Sequence, residues 1–360
     1  MNTELLPAGS PEALERAVER AAALLLGCET VALPTETVYG LAADALRPEA
    51  VLKIFEAKER PLFDPLIVHL PERAWLERVT AIPAESRELV EALTSRFWPG
   101  PLTLVLPRQA IVPDLVTSGL PTVAVRVSAH PVFREVIARV GKPLAAPSAN
   151  RFGRISPTAA AHVLTELDGR IPLIVDGGAS THGIESTIIV VEGGTLRVLR
   201  AGPVTPGDLV QVQVELWQRR GRIPSEHEAA EFLEMVEASQ ALPPRAPGQL
   251  GSHYAPRTHL ILVDTSLEFT WHPATMRIGL LGWSHVKGED YSRFAAVEWL
   301  SPSGDLREAA ATLFAKMRRL DEAGLNSILA ERVPEKGLGI AIMDRLRKAA
   351  TSEAPTGRIS

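Results

Sequence analysis

The chain has one cysteine, Cys28, in 360 residues, so no internal disulfide can form and a disulfide-stapled secreted scaffold is excluded. No run of about 18 uncharged apolar residues occurs, so no membrane-spanning helix is expected. The opening stretch MNTELLPAGSPEALERAVERAAALLLG is acidic and amphipathic, without the basic flank and apolar centre of a signal peptide, and a cytoplasmic location is the expectation. Standard catalytic signatures are missing too. There is no GxxxxGK[ST] loop, no GxGxxG after the first strand, no HExxH, no Cys/His ligand spacing and no GxSxG elbow. Cys28 lies in a strand-like run, where a buried, inert thiol is expected. What is left is a cationic, hydroxyl-rich cleft without a covalent nucleophile, and no metal-ligand set is assigned from the sequence.

Charge of one sign is also not in large excess: 38 basic against 43 acidic residues give a net charge of −5. A general nucleic-acid coat needs a basic surplus, whereas a few basic side chains in a cleft suffice for a small polyanion. Hydrophobic residues at 46% exclude disorder, and the length exceeds what one compact core usually holds. Residues 1–205 alternate β-rich apolar runs with helical patterns and form one α/β domain. Residues 206–256 loosen into a charged helical stretch and then the proline-rich LPPRAPGQLGSHYAP, a linker. Residues 257–360 repeat the β and α pattern as a smaller domain, with strands in THLILVD, MRIGLLGWS, FAAVEWLS and NSILAER and helices near 305–322 and 338–350.

Three pieces of the first domain can carry chemistry. In VALPTETVYGLAADA, Thr35 lies just past a buried strand, where open α/β sheets place ligand contacts. About twenty residues on, KERPLFDPLIVHL sets Lys58 and Arg60 at a helix end; they complement the helix dipole or steer a phosphate chain. In PLAAPSANRFGRISPT, small residues around Ala146 permit close backbone approach, and Ser148 and Asn150 offer hydrogen bonds. Asn150 is one of only three asparagines, and Ser156 before Pro157 is either a helix start or part of the site. GIESTIIVV and VLRAG bring Ser186 and Arg200 to strand ends. Arg126, inside the apolar run VAVRVS, must be ion-paired or aimed into a cleft.

Taken in order, LPTETVYGLAADA, KERPLFDPLIVHL, FWPGPLTLVL, VAVRVSAHP, APSANRFGRISPT, DGG, ESTI and LRAG resemble the threonylcarbamoyl-AMP synthase (YrdC-like) family over residues 10–205. HYAP (253–256) and PEKGLGIAIMDRLRKAA (334–350) are similar to the extra domain of its long form. The resemblance implies an α/β YrdC-like twisted-sheet domain with a basic cleft, joined by the linker to a smaller Rossmann-like α/β domain. It implies a nucleotidyltransferase that converts L-threonine, bicarbonate and ATP, with Mg²⁺ accompanying ATP, into threonylcarbamoyl-AMP and pyrophosphate. The product serves threonylcarbamoyladenosine formation at position 37 of tRNAs reading ANN codons. A separate tRNA threonylcarbamoyl-transferase complex is the implied downstream partner, with no stable tRNA binding by this chain.

Carried over by position, the resemblance places Thr35, His69, Arg126, Ala146 and Ser186 around L-threonine. It places Arg60, Asp64, Thr122, Ser148, Asn150, Ser156, Arg200 and Tyr254 on ATP, with His253 beside Tyr254 in a closing lid. Lys58 and Arg60 are the implied catalytic cations, both cleft-facing. The chain departs from the family's pattern at Glu59, where glycine is usual, at Asp64, where asparagine is, and in a linker less basic than usual. An aspartate facing phosphates repels them unless it carries Mg²⁺ or turns away, so both placements of Asp64 stay open. Two alternatives share parts of this pattern. One is a maturation enzyme handling carbamoyl adenylates, whose acylphosphatase-like and zinc-finger regions are lacking here. The other is a non-catalytic RNA-binding, translation-regulating protein, opposed by the −5 charge.

Overall fold

The computed structural model describes residues 2–223, 225, 227–228, 232, 254–271 and 275–350; His253 and most of the proline-rich stretch lie outside the described residues. The chain folds into two compact units. The first holds Met1–Arg151, Pro157–Thr181 and Glu185–Gln249, and the second holds Phe152–Ser156, His182–Ile184 and Leu250–Ser360.

The first unit begins with β1 (Glu4–Pro7), α1 (Pro11–Leu26), β2 (Val31–Leu33), β3 (Gly40–Asp44), α2 (Pro48–Lys58) and β4 (Ile67–His69). It continues through α3 (Leu76–Val79), α4 (Arg87–Phe97), β5 (Leu102–Pro107), α5 (Asp114–Thr117), β6 (Thr122–Arg126), α6 (Pro131–Val140) and β7 (Leu144–Ala145). The last elements are α7 (Ala160–Leu167), β8 (Leu173–Asp176), β9 (Thr187–Glu192), β10 (Thr195–Arg200) and α8 (Pro206–Arg219). Its ten strands form one mixed sheet in the order β1-β8-β2-β3-β7-β4-β6-β5-β9-β10.

Local sequence sets the helix ends. Ser10 caps α1 by accepting from the Ala13 N–H, and Pro11 needs no hydrogen-bond acceptor at the first helical position. α6 likewise starts on a proline and stops at Gly141, whose φ of 68° closes the last turn. α1 and α6 bury Ala17, Ala21, Leu25, Val136 and Ile137 with Val31 and Leu33 of β2. The larger core takes Val68, Leu104, Val125 and Ile189 from the sheet and packs them against α2, α4, α7 and α8.

Three expectations are corrected here. Pro206–Arg219, assigned to the linker, is a full helix of the first unit. A capping box between Thr205 and Asp208 starts it, and Leu209, Val212 and Leu216 bury its inner side. Ser156 does not start a helix, because α7 begins at Ala160. PLAAPSA (143–149), an apolar run that reads as a strand, forms one only at Leu144–Ala145, since prolines bound it and the next residues bind elsewhere: Ala146 N–H donates to Ile67 and Ala149 N–H to Tyr39. β1, not expected, adds in parallel to β8 at the sheet edge.

The second unit has β11 (His259–Val263), β12 (Ile278–Gly282), β13 (Ala296–Trp299), α9 (Leu306–Asp321), β14 (Ser327–Glu331) and α10 (Leu338–Ala350). All its pairings are parallel, in the order β11-β14-β12-β13. Two loops from the N-terminal half belong to it. Ala255 N–H donates to the Gly153 carbonyl (2.9 Å), and Arg318 donates to the Ile155 carbonyl. Among the described residues no helix is long and apolar enough to cross a membrane.

Gly202 shows how tightly the strand entrances of the first unit are fitted. A Cβ there would lie 2.4 Å from the Thr187 nitrogen and 2.6 Å from the Glu185 oxygen, both backbone. Gly202→Ala is expected to cost about 1–3 kcal/mol of stability, read by denaturant unfolding, because neither backbone atom can step aside.

Candidate active site

Period-two alternation gathers the site on one face of the large sheet. Ile67 and His69 share a face of β4, and Thr122, Ala124 and Arg126 share a face of β6. The two strands are parallel, with Ile67 opposite Ala124 and His69 opposite Arg126. Ile67, Val105, Ala124 and Ile188 form a small apolar patch there. Polar side chains flank the patch at both ends of β6, from Thr122 to Arg126, a span of about 13 Å.

At the Arg126 end, the connection from β2 to β3, residues 34–39, is buried throughout and must satisfy its backbone internally. Thr35 does this. Its hydroxyl accepts from the Thr37 and Val38 N–H groups (3.1 and 3.2 Å) and donates to the Val38 carbonyl (2.6 Å). With that proton committed, Thr37 is the donor in the 2.8 Å contact between the two hydroxyls. Arg126 completes the relay: Nη1 donates to Thr37 Oγ1 (3.0 Å) and Nε to the Gly100 carbonyl (3.1 Å). Its Nη2 lies 2.6 Å from Glu36 Oε1, and Ser128 Oγ donates to Glu36 Oε2 at 2.6 Å. Glu36 is 6% exposed and Arg126 3%, so the ion pair is shut away from water.

His69 is fully enclosed beside this pair, its ring 4.6 Å from that of Phe133 and its Nδ1 without a hydrogen-bond partner. Ser186 sits at the entrance of β9, where its hydroxyl meets Thr103 at 2.8 Å. Arg200 grips the same residue, donating to its carbonyl and its hydroxyl, each at 3.1 Å.

At the other end, α2 finishes with Lys58, and Glu59 takes the left-handed conformation (φ 53°) that turns the chain into Arg60. Arg60 Nη2 pairs with Asp64 Oδ2 at 2.7 Å, both side chains buried, and also donates to the Pro65 carbonyl. Lys58 is only 1% exposed and donates to the carbonyls of Ser148 and Asn150. β7 runs antiparallel to β4, with Leu144 opposite His69. The chain therefore leaves Ala146 heading from the Arg126 end towards this one, and Lys58 fixes where Ser148 and Asn150 arrive.

Burial and neighbouring charge set the protonation states. Burial pushes the Glu36 carboxyl up, but the Arg126 charge and the Ser128 hydroxyl outweigh it and hold its pKa at about 2. Burial, reinforced by Arg126, lowers His69 to about 3, so its imidazole is neutral. Burial also carries Lys58 well below the ordinary lysine value, with Arg60 acting the same way. Asp64 is raised by burial against the opposing pull of Arg60, Lys58 and Arg200.

The structure therefore groups Thr35, His69 and Arg126 at one end and Lys58, Arg60, Asp64, Ser148 and Asn150 at the other. Lys58 does not face a cleft as expected; its ammonium is spent on two backbone carbonyls. Asp64 is turned onto Arg60. Ser156 and Tyr254 belong to the second unit, where Tyr254 is 1% exposed, 5.6 Å from the Phe314 ring and beneath Arg345. Sequence reasoning missed Glu36, Thr37, Ser128 and Thr103. The signal for Glu36 was Arg126 itself: a cation in an apolar strand requires an acid, and the buried TET turn supplies one.

Fold and site define a mixed α/β protein with buried arginines at two ends of one sheet face. Two family models match the chain: one described as "Telomere recombination" over residues 24–202, the other as "Threonylcarbamoyl-AMP synthase, C-terminal domain" over residues 221–351. Threonylcarbamoyl-AMP synthase of Pyrococcus abyssi is 39% identical over 330 residues, 89% of this chain and 90% of the relative. That of Bacillus subtilis is 39% identical over 92% of each. The crystal structure of P. abyssi Sua5 complexed with L-threonine superposes with a TM-score of 0.80 at 37% identity, covering 97% of this chain and 98% of that one. The chain belongs to the threonylcarbamoyl-AMP synthase family, as the ordered sequence blocks implied.

The geometry can be tested at Lys58 and at His69. Lys58→Met leaves the Ser148 and Asn150 carbonyls without their buried donor, and a loss of about 2–4 kcal/mol in unfolding free energy is expected alongside lost turnover. The unfolded chain protonates His69 near 6.5 and Glu36 near 4.5, but the folded protein only near about 3 and about 2. Stability present above pH 6.5 is therefore expected to fall as pH drops through this window, His69 acting first. His69→Gln should flatten the fall of thermal midpoint between about pH 6.5 and 4.5.

Proposed function

We propose that the protein is an L-threonylcarbamoyladenylate synthase, joining L-threonine, bicarbonate and ATP into threonylcarbamoyl-AMP with release of pyrophosphate. The observation that carries this reading is the pairing, on one sheet face, of a single buried arginine fork with a second, more cationic cluster about one strand length away. Arg126 takes the threonine carboxylate, with Thr35, His69, Ala146 and Ser186 walling the amino acid. Arg60, Arg200, Thr122, Ser148 and Asn150 hold the nucleotide, with Asp64 and Lys58 as positioning groups for Arg60 and for the Ser148–Asn150 turn.

The chemistry is mainly placement and charge stabilisation. The threonine ammonium gives up a proton and the free amine attacks the bicarbonate carbon; the N–C bond forms, a C–O bond breaks, water leaves and a carbamate results. A carbamate oxygen then attacks the α-phosphorus while the bond to pyrophosphate breaks. Charge grows on the phosphate oxygens, where Arg60 and Arg200 are already oriented and little reorganisation is needed. Part of the triphosphate charge would be neutralised by the Mg²⁺ that accompanies ATP. Among the described residues no group of three or more His, Cys, Asp or Glu is arranged to hold a metal, and Asp64 is engaged by Arg60. The product is the donor for a separate tRNA-modifying transferase.

Pyrophosphate release from ATP and bicarbonate, with L-threonine, with L-serine and with neither, tests the reading. Release that depends on threonine is expected. ATP binding without threonine-dependent release would mean the acceptor is a different molecule.

A further inference from the structure

The Glu36–Arg126 pair poses a problem for an arginine that is to receive a carboxylate. Glu36 Oε1 already lies 2.6 Å from Arg126 Nη2, so an incoming anion meets a negative charge beside its receptor. Two like charges at such separations repel strongly where water is excluded. Ser128 fixes the carboxylate in place, donating to its second oxygen at 2.6 Å. The other ionisable groups facing the pair are His69, from β4, and His130, at the entry to α6; burial lowers both from the ordinary imidazole value. Arg126 and Glu36 are the charges acting on His69, whereas Arg60, Lys58 and Arg200 are those acting on Asp64. Arg200 reaches from Ser186 towards Asp64 and so lies between the two ends; the Glu36–Arg126 pair is neutral in itself, and the Lys58–Arg60 end is cationic.

A neutral end with separated charges is the complement of a zwitterion. We propose that Glu36 is a specificity-determining residue for the amino acid: by cancelling the charge of Arg126 it makes the pocket accept a zwitterion and reject carboxylates that lack an amino group. This rests on the reading that threonine binds at Arg126. It gives the buried TET turn a role beyond shaping the loop. An anion alone gains Arg126 but suffers Glu36, while the ammonium of an amino acid offsets the acid, and discrimination arises as a difference between the two.

The test compares 3-hydroxybutyrate, which is threonine without its amino group, with L-threonine. Inhibition of threonine-dependent pyrophosphate release gives the ratio of the 3-hydroxybutyrate inhibition constant to the threonine KM. In Glu36→Gln, which keeps the shape of the side chain, that ratio is expected to fall by about tenfold or more. Glu36→Asp, which keeps the charge, is expected to leave it within about threefold of wild type. An unchanged ratio in folded Glu36→Gln overturns the proposal. If Glu36→Gln does not fold, the wild-type protein decides: a 3-hydroxybutyrate inhibition constant no more than about threefold above the threonine KM overturns the proposal. Absence of threonine-dependent release in the wild type would instead remove the functional reading beneath it.

Discussion

The buried ion pair between Glu36 and Arg126 is the constraint on which the site depends. Arg126 occupies the last position of β6 and spreads its donors over two other segments: the Gly100 carbonyl before β5, and the Thr37 hydroxyl and Glu36 carboxylate of the 34–39 turn. One guanidinium thus ties both segments to the end of β6. Taking two charges out of water costs several kcal/mol per ion, and this arrangement offsets that cost through the close charge pair and the further bonds to Gly100, Thr37 and Ser128. Removing either partner alone would leave an uncompensated buried charge, so the turn 34–39, the end of β6 and the start of α6 rise or fall together.

The same sheet face solves two recognition problems at once. Strand register fixes His69 beside Arg126 and, through β7, delivers Ser148 and Asn150 towards Lys58 and Arg60. Distance between the two binding ends is therefore a property of the hydrogen-bond ladder and not of flexible loops. Lys58 illustrates how a charged residue in a functional motif can act at one remove. Its amine holds two carbonyls, and the residues bearing those carbonyls are the ones proposed to meet the nucleotide. Asp64 acts in a similar way on Arg60.

Much of this was legible in the sequence, and for identifiable reasons. The α/β alternation, the strands VAVR and LTLVLP and the helix beginning at Pro131 announce themselves through period and capping. The ordered blocks named the family, and the demand that Arg126 be paired or cleft-facing followed from its apolar neighbours; it is paired, and with an acid from the distant turn between β2 and β3. What could not be read were long-range partners. Nothing local says that Lys58 reaches Ser148, 90 residues on. The helical character after residue 205 was legible, but the proline-rich context that follows drew it into the linker, although Thr205 and Asp208 carry the cap that starts a packed helix.

A crystal structure with L-threonine and a non-hydrolysable ATP analogue bound together addresses the central claim most directly. The threonine carboxylate is expected on Arg126 with its amino group on the Glu36 side, and the triphosphate at Arg60 and Ser148. Threonine seated with its carboxylate away from Arg126, or a triphosphate lying at the Glu36 end, would contradict the division of the sheet face into a zwitterion end and a phosphate end.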